Sequence, residues 1–216
     1  MCLGDEPQAR RKGMKLIMAK QTFLNLPEEK RIKIFNSLKK EFSRVALKDA
    51  LVSNIVKDAE IPRGSFYQYF EDIDDAYYFV IGEYSKEIKK YLLEDLVKCK
   101  GDIILAYNHL YRYILDMIED ENNKEYFEKI FLNMSYDVQN MFTPNFNDGL
   151  NMIVSHVDVS KLNIASKFGL GYVLDIIEST MMNSIIKSYK RNLSREKNID
   201  IFEKELALIC VGILKK

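Results

Sequence analysis

Apolar residues recur at three- and four-residue intervals along most of the chain, a spacing that lays one apolar stripe along a helix. Over residues 28–42, Ile32, Ile34, Phe35, Leu38 and Phe42 mark such a stripe, and Pro27, Glu28 and Glu29 favour a helix start there. A shorter helix is expected over 50–59, with Asp49 as its candidate cap, and a third over 63–69. A long helix should run from about residue 74 to the Cys99-Lys100-Gly101 break, where Gly101 can take the left-handed conformation that ends helices. Further helices are expected over 102–120, 124–136 and 146–156, and two long periodic segments cover 161–192 and 194–215. Residues 140–149, rich in Asn, Pro, Asp and Gly, read as a loop. Few segments alternate apolar with polar residues and no repeat is evident, so the expected class is all-α.

Three short helices joined by tight turns and followed by a long one suit a helix-turn-helix head on a helical body. The second helix of such a motif enters the major groove, its N-terminal side chains meeting base edges. Here that helix would open at "PRGSFYQYF", 62–70. Pro62 stands where a missing N–H costs least. Phe66 and Phe70, four apart, share a face and can pack on Ile55, Ala59 and Ile61. An arginine at the positive end of a helix dipole, as at Arg63, makes sense beside a phosphate or a guanine. Gly64 permits close approach of another surface, Ser65 and Gln68 can hydrogen-bond to bases, and the Tyr67 and Tyr69 hydroxyls suit phosphate. The same positions also suit a solvated polar face beside a half-buried aromatic pair.

The stretch "SNIVKDAEIPRGSFYQYFEDIDDA", 53–76, resembles the DNA-binding signature of TetR-type transcriptional regulators, through Ile55, Ala59, Ile61, Gly64, Ser65, Phe66, Tyr67, Tyr69 and Phe70. The resemblance covers about a third of the chain. It implies a dimer reading a near-palindromic operator, with a larger helical domain that binds a small effector and then releases DNA. By position it implies that Arg63, Gly64, Ser65 and Tyr69 face bases, that Tyr67 contacts the phosphate backbone, alone or together with a base, and that Ser53 is a further DNA contact. Three positions depart from the pattern: Glu60 replaces a bend glycine, Leu51 a capping Ser or Thr, and Ile73 a phosphate-gripping lysine. If the Glu60 position is left-handed, its Cβ costs on the order of 1 kcal/mol. Without a Ser or Thr at Leu51, Asp49 or another group must satisfy the amides there.

Charge changes the picture modestly. The net charge is zero, but residues 1–70 carry 14 Lys+Arg against 8 Asp+Glu, and residues 71–216 carry 18 against 24. A basic front and an acidic rear fit two halves with different partners. The four basic residues of "QARRKGMK", 8–15, read either as a DNA-tracking arm or as a leader upstream of a start at Met18. The expected division is a disordered leader over 1–20, a helix-turn-helix domain over 21–73 and an effector-binding, dimerising domain over 74–216.

In the body, Tyr, Phe and Met are frequent and mostly expected in the core. Candidate effector-pocket residues are His109, Tyr113, Met117, Phe131, Met134, Tyr172 and Asp175, with His156 a further polar candidate. Broad apolar faces at Phe168, Leu170, Val173, Leu174, Ile177, Met181 and Ile185, and at Leu206, Ile209, Cys210, Ile213 and Leu214, suit a four-helix dimer interface. Cys2, Cys99 and Cys210 share no metal-ligand spacing and are expected to stay reduced in a cytosol. No membrane-length apolar run and no signal-peptide pattern is present. With no Gly-rich phosphate loop, His-Glu metal motif or nucleophile–base pair, an enzyme is not expected, nor a cofactor or metal. The expected function is a ligand-responsive repressor; the alternative is a helical ligand-binding protein whose head no longer reads an operator.

Overall fold

The computed structural model describes residues 19–142, 150–164 and 167–213. The basic arm, most of the 140–149 loop and the last three residues lie outside them. The helices are α1 (Gln21–Leu24), α2 (Glu28–Arg44), α3 (Val52–Asp58), α4 (Arg63–Tyr69), α5 (Ile73–Lys98), α6 (Ile103–Glu119), α7 (Lys124–Leu132), α8 (Tyr136–Phe142), α9 (Leu150–Val154), α10 (Lys167–Arg191) and α11 (Arg195–Ile213). No β-strand forms among the described residues, and none of their helices is long and apolar enough to cross a membrane.

Three helices end the same way, each with a residue other than glycine at the left-handed capping position. At the end of α3, Glu60 takes φ 53°, and the amides of Glu60 and Ile61 bond back to the carbonyls of Lys57 and Val56. Lys100, at φ 53°, repeats this after α5, and Asn192, at φ 49°, after α10. This is the Schellman arrangement, which satisfies the last carbonyls of a helix at the cost of a strained residue. After α5 the expected Gly101 is left-handed as well, at φ 77°. A Cβ there would lie 2.4 Å from the Asp158 amide nitrogen, whose N–H donates to the Gly101 carbonyl. Glycine is required at 101 by close approach, and Lys100 holds the cap.

Two expectations change. The helix foreseen over 124–136 is two helices, because Asn133 closes α7 and α8 starts afresh at Tyr136; α8 then runs to Phe142, into the expected loop. A one-turn helix, α1, also precedes the expected first helix.

The short turn after α5 returns α6 antiparallel to it: Asp95 meets His109, and the Tyr91 and Tyr113 rings stack 3.9 Å apart. α11 runs antiparallel to α6, with Arg112 paired to Glu203, Arg195 to Asp116 and Glu119, and Tyr111 stacked on Phe202. α10 packs against α7 and α11, bonds to α6 through Tyr107 and Glu178, and buries Leu170, Val173, Leu174, Ile177, Met181 and Ile185 within the subunit, so this part of the expected dimer face belongs to the core instead.

Candidate nucleic-acid interface and effector site

The turn between α3 and α4 is built on an apolar wedge. Ile55, Phe66 and Phe70 are wholly buried, with Ala59 and Ile61 close behind, as expected from their spacing. The Phe70 ring lies 5.3 Å from Phe23 and 5.5 Å from both Phe66 and Phe79, so the end of α4 is locked to α1 and α5. Burying such side chains contributes roughly 1.5–3 kcal/mol each, which fixes the angle at which α4 is presented.

The opposite side of α4 is open. Arg63, Gly64, Tyr67 and Gln68 are exposed and Ser65 is half-buried. A Cβ added to Gly64 would meet nothing within 4 Å, so no contact inside the subunit requires glycine there. Arg63 lies over Tyr67 one turn on, its guanidinium carbon 5.9 Å from the ring centroid and its Nη2 3.4 Å from the hydroxyl. A four-apart pair of this kind holds the long arginine along the helix. Ser53, in the first turn of α3, is also exposed. Tyr69 corrects the expectation: its ring is only 5% exposed and packs edge-on against Phe23, so it does not belong to the outward edge. Its position, three after Phe66, puts it on the inner face.

The C-terminal carbonyls of α4 are held from the start of the chain. The Lys20 amide donates to the Tyr69 carbonyl and its Nζ to the Tyr67 carbonyl, both at 2.8 Å, and the Thr22 hydroxyl donates to the Gln68 carbonyl. These are the acceptors a helix end leaves unpaired. Lys20 and Thr22 were missed in the sequence because their partners lie 46 to 49 residues away.

Asp49 does not cap α3. Glu41 on α2 takes that role: its carboxylate accepts from the Leu51 amide at 2.9 Å and from Asn54 Nδ2 at 3.1 Å, while Arg44 grips it with two nitrogens. Glu41 is buried. Burial alone would raise its pKa, but the bonds from Arg44, Leu51 and Asn54 outweigh that and hold the carboxyl below its ordinary value. The start of α3 is thus tied to another helix through the Leu51 amide and the Asn54 side chain, in place of a Ser or Thr cap at position 51. At the start of α5, Asp72 accepts from the Asp75 amide at 2.8 Å and Asp75 accepts from the Glu71 amide at 3.0 Å. This reciprocal cap gives two of the acidic residues around Ile73 a local structural role.

The effector candidates do not converge. Met117 and Phe131 line one apolar cavity with Phe127, Met181, Met182 and Ile185, and its free space of ≈ 10 Å³ has room for about one water molecule. Met134 is half-buried at the edge of the core. His109 is paired with Asp95, and the Tyr113 hydroxyl donates to Glu87 at 2.6 Å. Tyr172, Asp175 and His156 are exposed. A polar group overlooked in the sequence is Glu178, buried in the middle of the apolar stripe of α10 and accepting from the Tyr107 hydroxyl at 2.6 Å. Burial pushes its carboxyl up to about 8. An acid inside an otherwise apolar stripe was the available signal.

The fold and the α3–α4 geometry define an all-helical protein with a helix-turn-helix whose second helix faces outward. Residues 102–213, more than half of the chain, match the family model described as the tetracyclin repressor-like C-terminal domain. The chain belongs to the TetR family of transcriptional regulators. Among solved structures it resembles a TetR-family regulator from Chloroflexus aurantiacus J-10-FL at 20% identity and TM-score 0.51, covering 92% of this chain and 100% of that one. It also resembles SmeT, the repressor of the Stenotrophomonas maltophilia multidrug efflux pump SmeDEF, at 13% identity and TM-score 0.59, covering 90% and 93%. RolR in complex with resorcinol matches at 13% identity and TM-score 0.58, covering 87% and 89%. At these identities the likeness is one of fold. A comparison with curated proteins finds no match.

Proposed function

We propose that this TetR-family chain is a ligand-responsive repressor that binds a near-palindromic operator as a homodimer. The observation that carries the proposal is the outward edge of α4, where Arg63, Tyr67 and Gln68 flank a glycine that nothing inside the subunit requires. In this reading residues 21–73 form the DNA-binding domain and 74–216 the effector and dimerisation domain. Arg63, Gly64, Ser65 and Gln68 meet bases, while Tyr67 and Ser53 meet the backbone. α10 and α11 pair with their copies across a two-fold axis, which would cover Tyr172, Ile176, Leu208 and Val211, the last two 76% and 75% exposed in the single chain. The effector is a small molecule, a class to which resorcinol, the ligand in the RolR complex, also belongs, and the protein works in the cytoplasm without a catalytic step.

The test is binding to duplex from the chain's own promoter region, against random duplex, over a salt series. A specific fragment should compete better, with the recognition helices about 34–36 Å apart in the bound dimer. Arg63→Ala should cost roughly 1–3 kcal/mol on that fragment if it reads a guanine. Equal binding to all fragments would overturn the repressor reading. It would favour the alternative of a ligand-binding protein with a degenerate head, to which the acidic start of α5 already points.

A further inference from the structure

Asp95, Cys99 and His109 bring three metal-ligating atoms together where α5 turns into α6. Asp95 Oδ2 lies 2.9 Å from His109 Nδ1 and 3.4 Å from Cys99 Sγ, and Sγ lies 3.7 Å from Nδ1. All three atoms fall within 4.8 Å of one another. We propose that this triad is a binding site for a borderline divalent transition-metal ion of the Zn²⁺ class, bound by carboxylate, thiolate and imidazole.

The distances fit such an ion before it arrives. Zn²⁺ with Zn–S near 2.3 Å and Zn–N and Zn–O near 2.0–2.2 Å requires tetrahedral edges of about 3.4–3.6 Å between ligand atoms. The S···O and S···N edges are within about 0.2 Å of that range, and the shorter O···N edge need open by only about 0.5 Å. That edge is short because a proton sits on it, and the ion takes the proton's place. On binding, the thiol proton leaves to solvent and the single imidazole proton passes through solvent from Nδ1 to Nε2, which frees the Nδ1 lone pair for the metal, so one proton is released in all.

The framework is held independently of any ion. Asp95 and Cys99 are four apart on one face of α5, and the Cys99 amide bonds to the Asp95 carbonyl at 2.8 Å. The left-handed pair Lys100 and Gly101 then turns the chain sharply enough for the second turn of α6 to bring His109 back over them. Asp95 is buried, whereas Cys99 and His109 are half-buried, so the triad has a closed floor and an open mouth. Three protein ligands with solvent on the fourth side make an exchangeable site, not a closed structural one. A thiolate beside an imidazole selects against Mg²⁺ and Ca²⁺, which take oxygen donors.

Cobalt reports on the site without DNA or an effector, so the outcome is separate from that of the repressor reading. Reduced, chelator-treated full-length protein titrated with Co²⁺ should develop a thiolate-to-cobalt charge-transfer band and the intense visible bands of a four-coordinate ion, and Zn²⁺ should abolish both. Cys99→Ser should remove the charge-transfer band, and Cys210→Ser and Cys2→Ser should keep it. His109→Gln should weaken Co²⁺ binding by at least the roughly 10–100-fold that loss of even an outer-shell partner costs. Zn²⁺ should raise the melting temperature of the wild type and not of Cys99→Ser, with circular dichroism checking that each variant folds. No charge-transfer band in the wild type, or one that survives Cys99→Ser, means an ordinary hydrogen-bonded cluster and overturns the proposal.

Discussion

Lys39 on α2 donates through Nζ to Oδ1 of Asn123, at the start of α7, over 2.6 Å. The same oxygen accepts from the Tyr84 hydroxyl of α5 at 2.8 Å, and Asn123 Nδ2 donates to the Met117 carbonyl of α6 at 2.9 Å. Asn123 stands at the N-cap of α7 yet makes no side-chain cap there. Its amide instead joins the helices that carry α3 and α4 to the helices of the body. Burial lowers the Lys39 pKa, with Asp120 opposing that shift.

Asn123→Ala should therefore destabilise the fold by about 1–3 kcal/mol, because it leaves the buried Tyr84 hydroxyl without its acceptor. Asn123→Asp keeps the acceptor for both Lys39 and Tyr84 and loses only the donor to Met117, so it should cost less. Urea denaturation of the two variants distinguishes them. Equal midpoints for alanine, aspartate and wild type would remove Asn123 from any linking role.

Glu41 makes a second stability prediction. Glu41→Ala should cost roughly 1.5–3 kcal/mol, the range for hydrogen bonds to a charged group, and should loosen the start of α3. Because the folded pKa is depressed below the ordinary value of 4.5, the contribution is fully present above that value. It is lost as pH falls through the folded pKa. Glu41→Gln should lose stability at neutral pH and show a flatter acid limb, read from urea midpoints at a series of pH values. An acid limb parallel to that of the wild type would mean that other carboxylates govern acid unfolding.

How far the sequence could be read follows from how far apart the interacting residues are. The α4 bounds, its proline start and the burial of Phe66 and Phe70 depend on residues within a few turns, and local spacing carries them. The outward expectation for Tyr69 rests on its hydroxyl and on family position, while the three-residue step from Phe66 puts it on the buried face. The cap on α3 was illegible because Glu41 acts from ten residues upstream through a folded contact. Lys20 and Thr22, which hold the end of α4, act over still longer separations. The metal-ligating triad escaped because its spacing is helical, Asp-x₃-Cys and a histidine on the next helix, and becomes a cluster only once the Gly101 turn is made. The effector candidates scattered because aromatic and Met content marks the core and does not distinguish the lining of a pocket.

Gly64 separates folding from DNA binding. With open space around its Cβ position and an ordinary helical backbone, Gly64→Ala should stabilise the free protein by up to about 1 kcal/mol, the helix-propensity gain of alanine over glycine. If α4 approaches DNA closely at this point, the same change should weaken binding to the specific fragment. Thermal melting and a binding titration on the one variant give both numbers. A variant that is more stable and binds equally well would show that the glycine is not there for close approach.

Glu178 gives the opposite pH dependence to Glu41. Its carboxyl is buried, hydrogen-bonded only by Tyr107 among the described contacts, and pushed by burial to about 8, so it is protonated in the folded protein at neutral pH. In the unfolded chain it ionises near the ordinary 4.5. Between these values the folded state holds a proton that the unfolded state has released, and stability must fall as pH rises. Below about pH 4.5 the group has no effect; above about pH 8 the full loss, on the order of a few kcal/mol, is reached. Glu178→Gln keeps the shape and an acceptor for Tyr107 and cannot ionise. It should match the wild type in mildly acidic solution and exceed it increasingly from pH 5 to 8. Thermal melting of both proteins across that range measures the difference, and parallel curves would mean that Glu178 does not titrate between the folded and unfolded states as its burial requires.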